Sequence, residues 1–339
     1  MELHENIPLK NYTTMRLGGN ARYIVDVRSV ADIEKVITAA SERQLSLFVL
    51  GGGSNTIARD EGFSGLVMRN RLMGIEVGAD SPSETQFRVG AGENWDELVE
   101  KTVQANLSGI EALSKIPGTV GAAPVQNIGA YGQEVADVIA SVEAYDINER
   151  RLVALSPQDC GFKYRHSIFR GEAAGRYVIT AVTINLTKNA PQPPFYAALE
   201  KYFTDNNITI FTPQAIRDAV SIIRADKLPD PAELPNSGSF FKNAIIDDWL
   251  RDELLTKYPD MPSYDMPDRQ YKIPTGWLIE QTGLKGKTLH GMKVHDKNAL
   301  VLINQSAGSY ADLDAARSEI QNAVRDKFRI SIEQEPLEL

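Results

Sequence analysis

The sequence has one cysteine, Cys160, in 339 residues. A disulfide framework within the chain is thereby excluded, and a reducing compartment fits. Histidine is equally scarce: there are four, and His290 and His295 lie five apart with no acidic or cysteine partner at a zinc-binding spacing. No metal site is expected. No apolar run approaches the roughly 20 residues of a membrane helix, and "MELHENIPLKNYTTM" lacks the apolar core of a signal peptide. Positive charge is in deficit, the net charge being -9. That argues against a general binder of nucleic acid or membranes, so an anionic ligand would need locally placed Lys and Arg. The expectation is a cytoplasmic protein with no nucleic-acid, membrane or obligatory protein partner.

What the chain does have is apolar residues enough for two or three cores, at 42% of the composition, and 25 glycines. The first half alternates strand-like and helix-like patterns. "ARYIVDV" reads as a strand, and "SVADIEKVITAASERQ" as an amphipathic helix capped by Ser29. "LSLFVLGGGSNTI" is a buried strand entering a glycine turn. "FSGLVMRN", "GIEVGA" and "TQFRVGAGENW" follow as strands, then the helix "WDELVEKTVQANLSG". "VADVIASVEAYDI", "RLVALSP" and "YVITAVTINLTK" are three further strands. Near residue 190 the chain turns proline-rich, then helical in "FYAALEKYF" and in "TPQAIRDAVSIIRADKL", with Thr212 as cap. After the linker "PDPAELPNSGS" comes a region of about 100 residues, ending in the helix "YADLDAARSEIQNAVRDKF" and the strand "RISIEQE". The fold class is α+β.

Familiar motifs fail in informative ways. "VLGGGSN" follows a strand, but Thr56 stands where the dinucleotide fingerprint needs its third glycine, and no helix pattern follows. Gly51 to Asn55 can still aim successive N–H groups at an anion. "GLKGKT" looks like the end of a P-loop, but Gln281 replaces the required first glycine. "NSGSFFKN" is not G-x-S-x-G, since Phe240 and Phe241 follow Ser239. Ser239 reads as a turn residue or as a proton donor. "YRHSIFR" offers Arg165 and Arg170 as planar forks for an anionic group, or as surface charge. Most unusual is "SKIPGTVGAAPVQNIGAYGQE" at 114–134, with four glycines and no charge between Lys115 and Glu134. So bare a backbone implies that something large lies against it.

Together "LGGGSN", "GAGENW", "IPGTVGAAPVQNIGAYGQE", "YRHSIFR", "KLPDP", "GSFFKN" and "GWLIEQTGLKG" resemble the UDP-N-acetylenolpyruvoylglucosamine reductase family over practically the whole chain. The "PPFYAALEKYF" insertion is similar to the subtype whose extra loop carries a tyrosine over the substrate. The resemblance implies a two-subdomain FAD-binding fold of the vanillyl-alcohol-oxidase type, divided at 1–70 and 71–190. A tyrosine-loop insertion and helix would occupy 191–228, and a substrate-binding domain 229–339. It implies bacterial peptidoglycan synthesis, in which NADPH reduces non-covalent FAD and reduced FAD then reduces the enolpyruvyl ether of a UDP-sugar.

Residues implied to hold FAD are Gly51, Gly52, Gly53, Ser54, Asn55, Gly118, Thr119, Gly121, Ala122, Ala123, Gln126, Asn127 and Gly129. Arg165 and Glu335 would stabilise the substrate carboxylate, Glu335 only in a protonated state that demands a raised pKa. Ser239 would supply the proton. Tyr196 and Lys227 match the positions that hold the diphosphate, with Asn243, Lys285 and Asn298 as further contacts. The chain ends "EPLEL" where relatives continue with "EV" and a hydrophobic-glycine ending, and Glu333 competes with Glu335 for the assignment. Tyr202 similarly competes with Tyr196. A flavin oxidase with tethered FAD would be the rival enzyme, yet neither glycine-rich segment contains a histidine. A non-catalytic flavin module would be expected to lack the acid and the anion clamp.

Overall fold

A computed structural model describes residues 2–339. They form two compact units, neither contiguous in sequence. The first comprises the chain up to Ile7, Ala21–Gly52 and Ser64–Arg224; the second comprises Pro8–Asn20, Gly53–Phe63 and Ala225–Leu339. The glycine turn therefore passes from one unit to the other between Gly52 and Gly53.

In the first unit, a four-stranded sheet runs in the order His4–Pro8, Asn20–Val27, Phe63–Asn70, Leu47–Leu50. Its last two strands pair in parallel, joining Leu47 to Leu66 and Leu50 to Arg69. The helix Val30–Glu42 buries Ile33, Val36, Ile37 and Ala40, the i, i+3, i+4, i+7 stripe of its sequence, in a core shared with Val25, Val27, Leu66 and Met68. Ser29 caps it by accepting from the Asp32 amide at 3.2 Å. A five-stranded antiparallel sheet follows, ordered Arg151–Leu155, Ile139–Asp146, Tyr177–Thr187, Glu84–Gly90, Ile75–Asp80. Over it packs the helix Trp95–Gln104, capped by Asn94 and burying Trp95, Leu98, Val99 and Val103. A smaller aromatic cluster joins the helices Ala197–Asp205 and Pro213–Lys227 through Leu199, Phe203, Ile216 and Val220. Thr212 caps the second of these, accepting from the Ala215 amide at 3.1 Å.

The second unit has a four-stranded sheet ordered Asn236–Ser239, Val301–Asn304, Met292–Val294, Thr288–Leu289, and a three-stranded sheet of Ala244–Asp247, Gln270–Ile273 and Tyr264–Met266. The helix Tyr310–Phe328 supplies Leu313, Ala316, Ile320, Val324 and Phe328 to their common core. One expectation changes here. "RISIEQE" is not a regular strand but an extended segment with a single bridge, Gln334 to Phe241. It is nonetheless tied down: the Lys242 amide donates to Glu333 at 2.9 Å and the Glu335 amide to Phe240 at 2.8 Å. Pro336, without an N–H, breaks the ladder. Pairing resumes at Leu337–Glu338, parallel to Thr56–Ile57.

One largely buried ion pair of the first unit sits at the start of the Trp95 helix. Asp96 accepts from Arg217 at 2.7 and 3.1 Å and from the Lys115 amide at 2.6 Å, and Arg217 is 5% exposed. Burial alone would raise the Asp96 carboxyl, but the Arg217 and Lys115 hydrogen bonds prevail and hold it at about 2, against 3.8 in a free side chain. Its contribution is therefore complete above the unfolded value and is lost as pH falls towards 2. Asp96→Asn should cost about 3 kcal/mol at pH 7 by leaving Arg217 poorly compensated. Denaturant melts should show that gap closing between pH 4 and pH 2; a gap independent of pH would remove the ion pair as its source.

Candidate functional site: a main-chain anion cradle and a serine–glutamate edge

In the first unit, the two glycine-rich segments lie against each other. A Cβ on Gly51 would come within 2.7 Å of the Thr119 hydroxyl and 3.4 Å of Ala122; one on Gly52 would be 2.9 Å from the Gly118 Cα. The main-chain N–H groups of Gly51, Gly52, Gly118 and Thr119 donate to no acceptor among the described residues. These four donors, grouped where the two backbones meet with the Thr119 hydroxyl alongside Gly51, are an arrangement able to hold an anion, a candidate cradle.

The rest of the run is bare for a second reason. Gly121 packs on Ala91, where a Cβ would come within 2.5 Å of the alanine's own. Its amide bonds the Ala91 carbonyl at 2.9 Å, the Val120 amide bonds Glu93 at 2.9 Å, and the Trp95 amide reaches Gly118 at 3.1 Å. "GAGENW" is thus the surface on which the run is laid. Ala123 is inside the core at 2% exposure. Asn127, in the left-handed region at φ 47°, turns its side chain inward: its amide donates to Glu134 at 2.7 Å and Lys163 at 3.2 Å, and its oxygen accepts from Ala136 at 3.1 Å. Gly121, Ala123 and Asn127 are thus each engaged by the protein's own packing or hydrogen bonds.

"YRHSIFR" is laced to the same run. Arg165 donates to the Gly129 carbonyl at 2.6 Å and the Asn127 carbonyl at 3.3 Å, Ser167 to Val125 at 2.6 Å, and Arg170 to the Gln126 side chain at 3.0 Å. A Cβ on Gly129 would stand 2.9 Å from the Glu134 Cγ and 3.1 Å from the Arg165 guanidinium, so a side chain there would crowd both. Tyr196 starts the helix Ala197–Asp205 and is 48% exposed, its ring edge-on to Tyr131 at 5.9 Å. Phe195 instead packs with Phe203 and Phe211, and Tyr202 with Phe203. Of the loop's aromatic residues, Tyr196 is the one presented outward. Tyr131 escaped the sequence reading; its signal is a tyrosine at φ 49° inside a glycine run.

The second unit assembles Gly53, Ser54, Asn55, Lys227, Ser239, Asn243, Lys285, Asn298 and Glu335. Gly53, at φ 70°, passes so close to the Tyr12 carbonyl that no Cβ fits. Ser239 is on an edge strand, not a turn, paired with Val301 beyond a register shift. Gly238 supplies the shift at φ 70°, a bulge of the kind that re-aims the next side chain. Ser239 is half-buried, and its neighbour Phe240 accepts from the Glu335 amide at 2.8 Å. Glu335 is half-buried too, whereas Glu333 is exposed and paired with Lys242 at 2.9 Å. Asn243 accepts from the Thr275 amide at 3.2 Å at the start of the helix Thr275–Gln281. Lys285 pairs with Glu280 at 2.9 Å, and Asn298 accepts from the Leu300 amide at 3.1 Å within a turn. Lys227 ends its helix exposed to solvent.

An α+β chain whose glycine turn leads into the short strand Thr56–Ile57, not a helix, lies outside the Rossmann class of dinucleotide binders. Residues 21–154 match the FAD binding domain, and 230–338 match the C-terminal domain of UDP-N-acetylenolpyruvoylglucosamine reductase. The enzyme of that name from Ralstonia nicotianae is 43% identical over 338 residues, covering 99% of this chain and 98% of its own. That from Neisseria gonorrhoeae is 40% identical over 329 residues, covering 97% and 95%. The crystal structure of UDP-N-acetylenolpyruvylglucosamine reductase from Thermus caldophilus superposes with a TM-score of 0.68 at 23% identity, covering 100% of this chain and 99% of that one. The chain belongs to the UDP-N-acetylenolpyruvoylglucosamine reductase family.

The donor set fits FAD. Free amides without cations suit a diphosphate, and small residues leave room for it. Gly52→Ala should press a methyl group onto the Gly118 main chain and weaken FAD binding about tenfold or more. The check is the flavin-to-protein absorbance ratio after dialysis, alongside an unchanged far-ultraviolet circular dichroism spectrum. Full flavin retention would place the diphosphate elsewhere.

Proposed function

We propose that the chain is an NADPH-dependent reductase that converts UDP-N-acetylglucosamine enolpyruvate to UDP-N-acetylmuramate for peptidoglycan. FAD, when held by the Gly51–Gly52 and Gly118–Thr119 backbones, would supply a hydride carrier between NADPH and the enolpyruvyl double bond. The observation that carries the reading is the joining of two chemistries in one chain: a main-chain cradle in the first unit, and in the second a bulge-aimed serine whose neighbour is bonded to the backbone of a half-buried glutamate.

The protein's own groups divide the remaining work. Hydride addition to the enol ether pushes charge towards the carboxylate, so that group needs donors already in place. Arg165 is preorganised for this by its two bonds to the carbonyls of Gly129 and Asn127, which fix the guanidinium plane. Glu335, protonated, donates to the same carboxylate. The Ser239 hydroxyl then delivers its proton to the adjacent carbon, where the charge has made a weak acid sufficient. Tyr196 and Lys227 hold the UDP diphosphate, and Asn243, Lys285 and Asn298 contribute polar contacts to the sugar nucleotide. On this reading residues 1–70 and 71–190 are the two cofactor subdomains, 191–228 supply the tyrosine loop and helix, and 229–339 bind the substrate.

Ser239→Ala should leave anaerobic flavin bleaching by NADPH within about twofold while slowing flavin recovery with the enolpyruvyl substrate by a factor on the order of 10²–10⁴. Equal loss in both half-reactions would take the proton away from Ser239. Glu335→Gln should impair turnover far more than Glu333→Gln, whose exposed ion pair is worth little. The opposite ranking would move the acidic group by two residues.

A further inference from the structure

The chain's last residues form a polar corner of the second unit that the reaction does not explain. The Glu338 carboxylate accepts from Arg59 Nε at 3.0 Å, from Arg317 Nη1 at 2.5 Å and from the Tyr310 hydroxyl at 2.9 Å. Arg317 Nη1 also reaches the Gln334 side chain at 2.6 Å, and Gln334 donates to the Pro336 carbonyl at 2.8 Å. Both arginines lie within about 6 Å of the Tyr310 ring, at 5.8 and 6.0 Å. Asp60, beside Arg59, caps the same helix through the amides of Tyr310 and Ala311 at 2.7 and 3.0 Å. Burial acts to raise the Glu338 carboxyl, but the bonds from Arg59, Arg317 and Tyr310 hold it down at about 2. An ion this well bound inside a two-residue strand is more than a surface pair.

Its place in the chain shows what it governs. Leu337 and Leu339 donate to the carbonyls of Asn55 and Ile57 at 3.0 and 2.8 Å, and the Arg59 amide donates to Leu339 at 3.0 Å. Three residues before Glu338, the Glu335 amide is bonded to Phe240, the neighbour of Ser239. Between these two anchors lies Pro336, which leaves the ladder one donor short. A slip of one residue in this tail would take the Glu335 amide off the Phe240 carbonyl and move its side chain with it.

We propose that Glu338 is a positioning residue: its carboxylate, gripped by Arg59, Arg317 and Tyr310, fixes the register of the tail and so the direction of the Glu335 side chain towards the Ser239 edge. The inference rests on the proposed role of Glu335 in the reaction.

The test uses the full-length flavoprotein as wild type, Glu338→Gln, Tyr310→Phe and Glu335→Gln. Tyr310→Phe removes one donor and keeps the ring, so it reports even where Glu338→Gln fails to fold. In Glu338→Gln, the peptide covering residues 330–339 should exchange its amide hydrogens at least tenfold faster. Recovery of reduced flavin with the enolpyruvyl substrate should slow about tenfold, while bleaching by NADPH and the KM for the UDP-sugar stay within twofold. Tyr310→Phe should shift exchange and recovery the same way by two- to threefold. Unchanged tail exchange, or equal slowing of both half-reactions, would overturn the positioning role. Should Glu335→Gln itself leave recovery unaltered, the role of Glu335 has failed, and faster tail exchange in Glu338→Gln would then show a clasp with no catalytic glutamate to aim.

Discussion

The close approach of two bare backbones, Gly51–Gly52 against Gly118–Thr119, is the constraint on which the first unit depends. At 2.9 Å from an added Cβ on Gly52 to the Gly118 Cα there is no room for any side chain. The same proximity leaves the amides of Gly51, Gly52, Gly118 and Thr119 without a protein acceptor among the described residues, on a turn open enough for Gly52 to be exposed. The helix Trp95–Gln104 and the loop 90–94 serve this arrangement by holding Gly118, Val120 and Gly121 through main-chain bonds. No charged residue lies between Lys115 and Glu134.

The second unit solves a different problem, that of presenting a hydroxyl and a carboxyl on irregular backbone. Gly238 puts a bulge before Ser239, and Pro336 breaks the ladder after Glu335. Each interruption frees one side chain from the strand's alternation and must be offset nearby. On the serine side the Phe240 amide bonds Leu300 at 2.7 Å; on the glutamate side the tail rejoins the strand Thr56–Ile57. Arg165, in the first unit, follows the same logic: a non-glycine residue at φ 51° pinned by two carbonyls.

Periodicity made most of the regular structure legible. The apolar stripe of Val30–Glu42, the caps at Ser29 and Thr212, and the helix Tyr310–Phe328 are local properties that the chain's own spacing determines. The rejection of a Rossmann unit was legible for the same reason, because the turn leads into the short strand Thr56–Ile57 and not a helix. What could not be read is non-local. Residues 8–20 and 53–63 cluster with the C-terminal part, and no composition shift marks them. Nor does a glycine announce its purpose: Gly52 and Gly121 look alike in sequence, yet one belongs to the cradle and the other packs on Ala91. The resemblance left Tyr196 and Tyr202 in competition; in the structure Tyr196 is exposed while Tyr202 packs edge-on to Phe203.

The account stands or falls on a two-step anaerobic stopped-flow experiment with the wild-type protein. NADPH is added first, then UDP-N-acetylglucosamine enolpyruvate, with the flavin spectrum followed throughout. Bleaching on the first addition and prompt recovery on the second is the predicted result. A preparation that stays colourless after incubation with FAD would contradict the cradle, and bleaching without recovery would contradict the substrate and the roles given to Ser239 and Glu335.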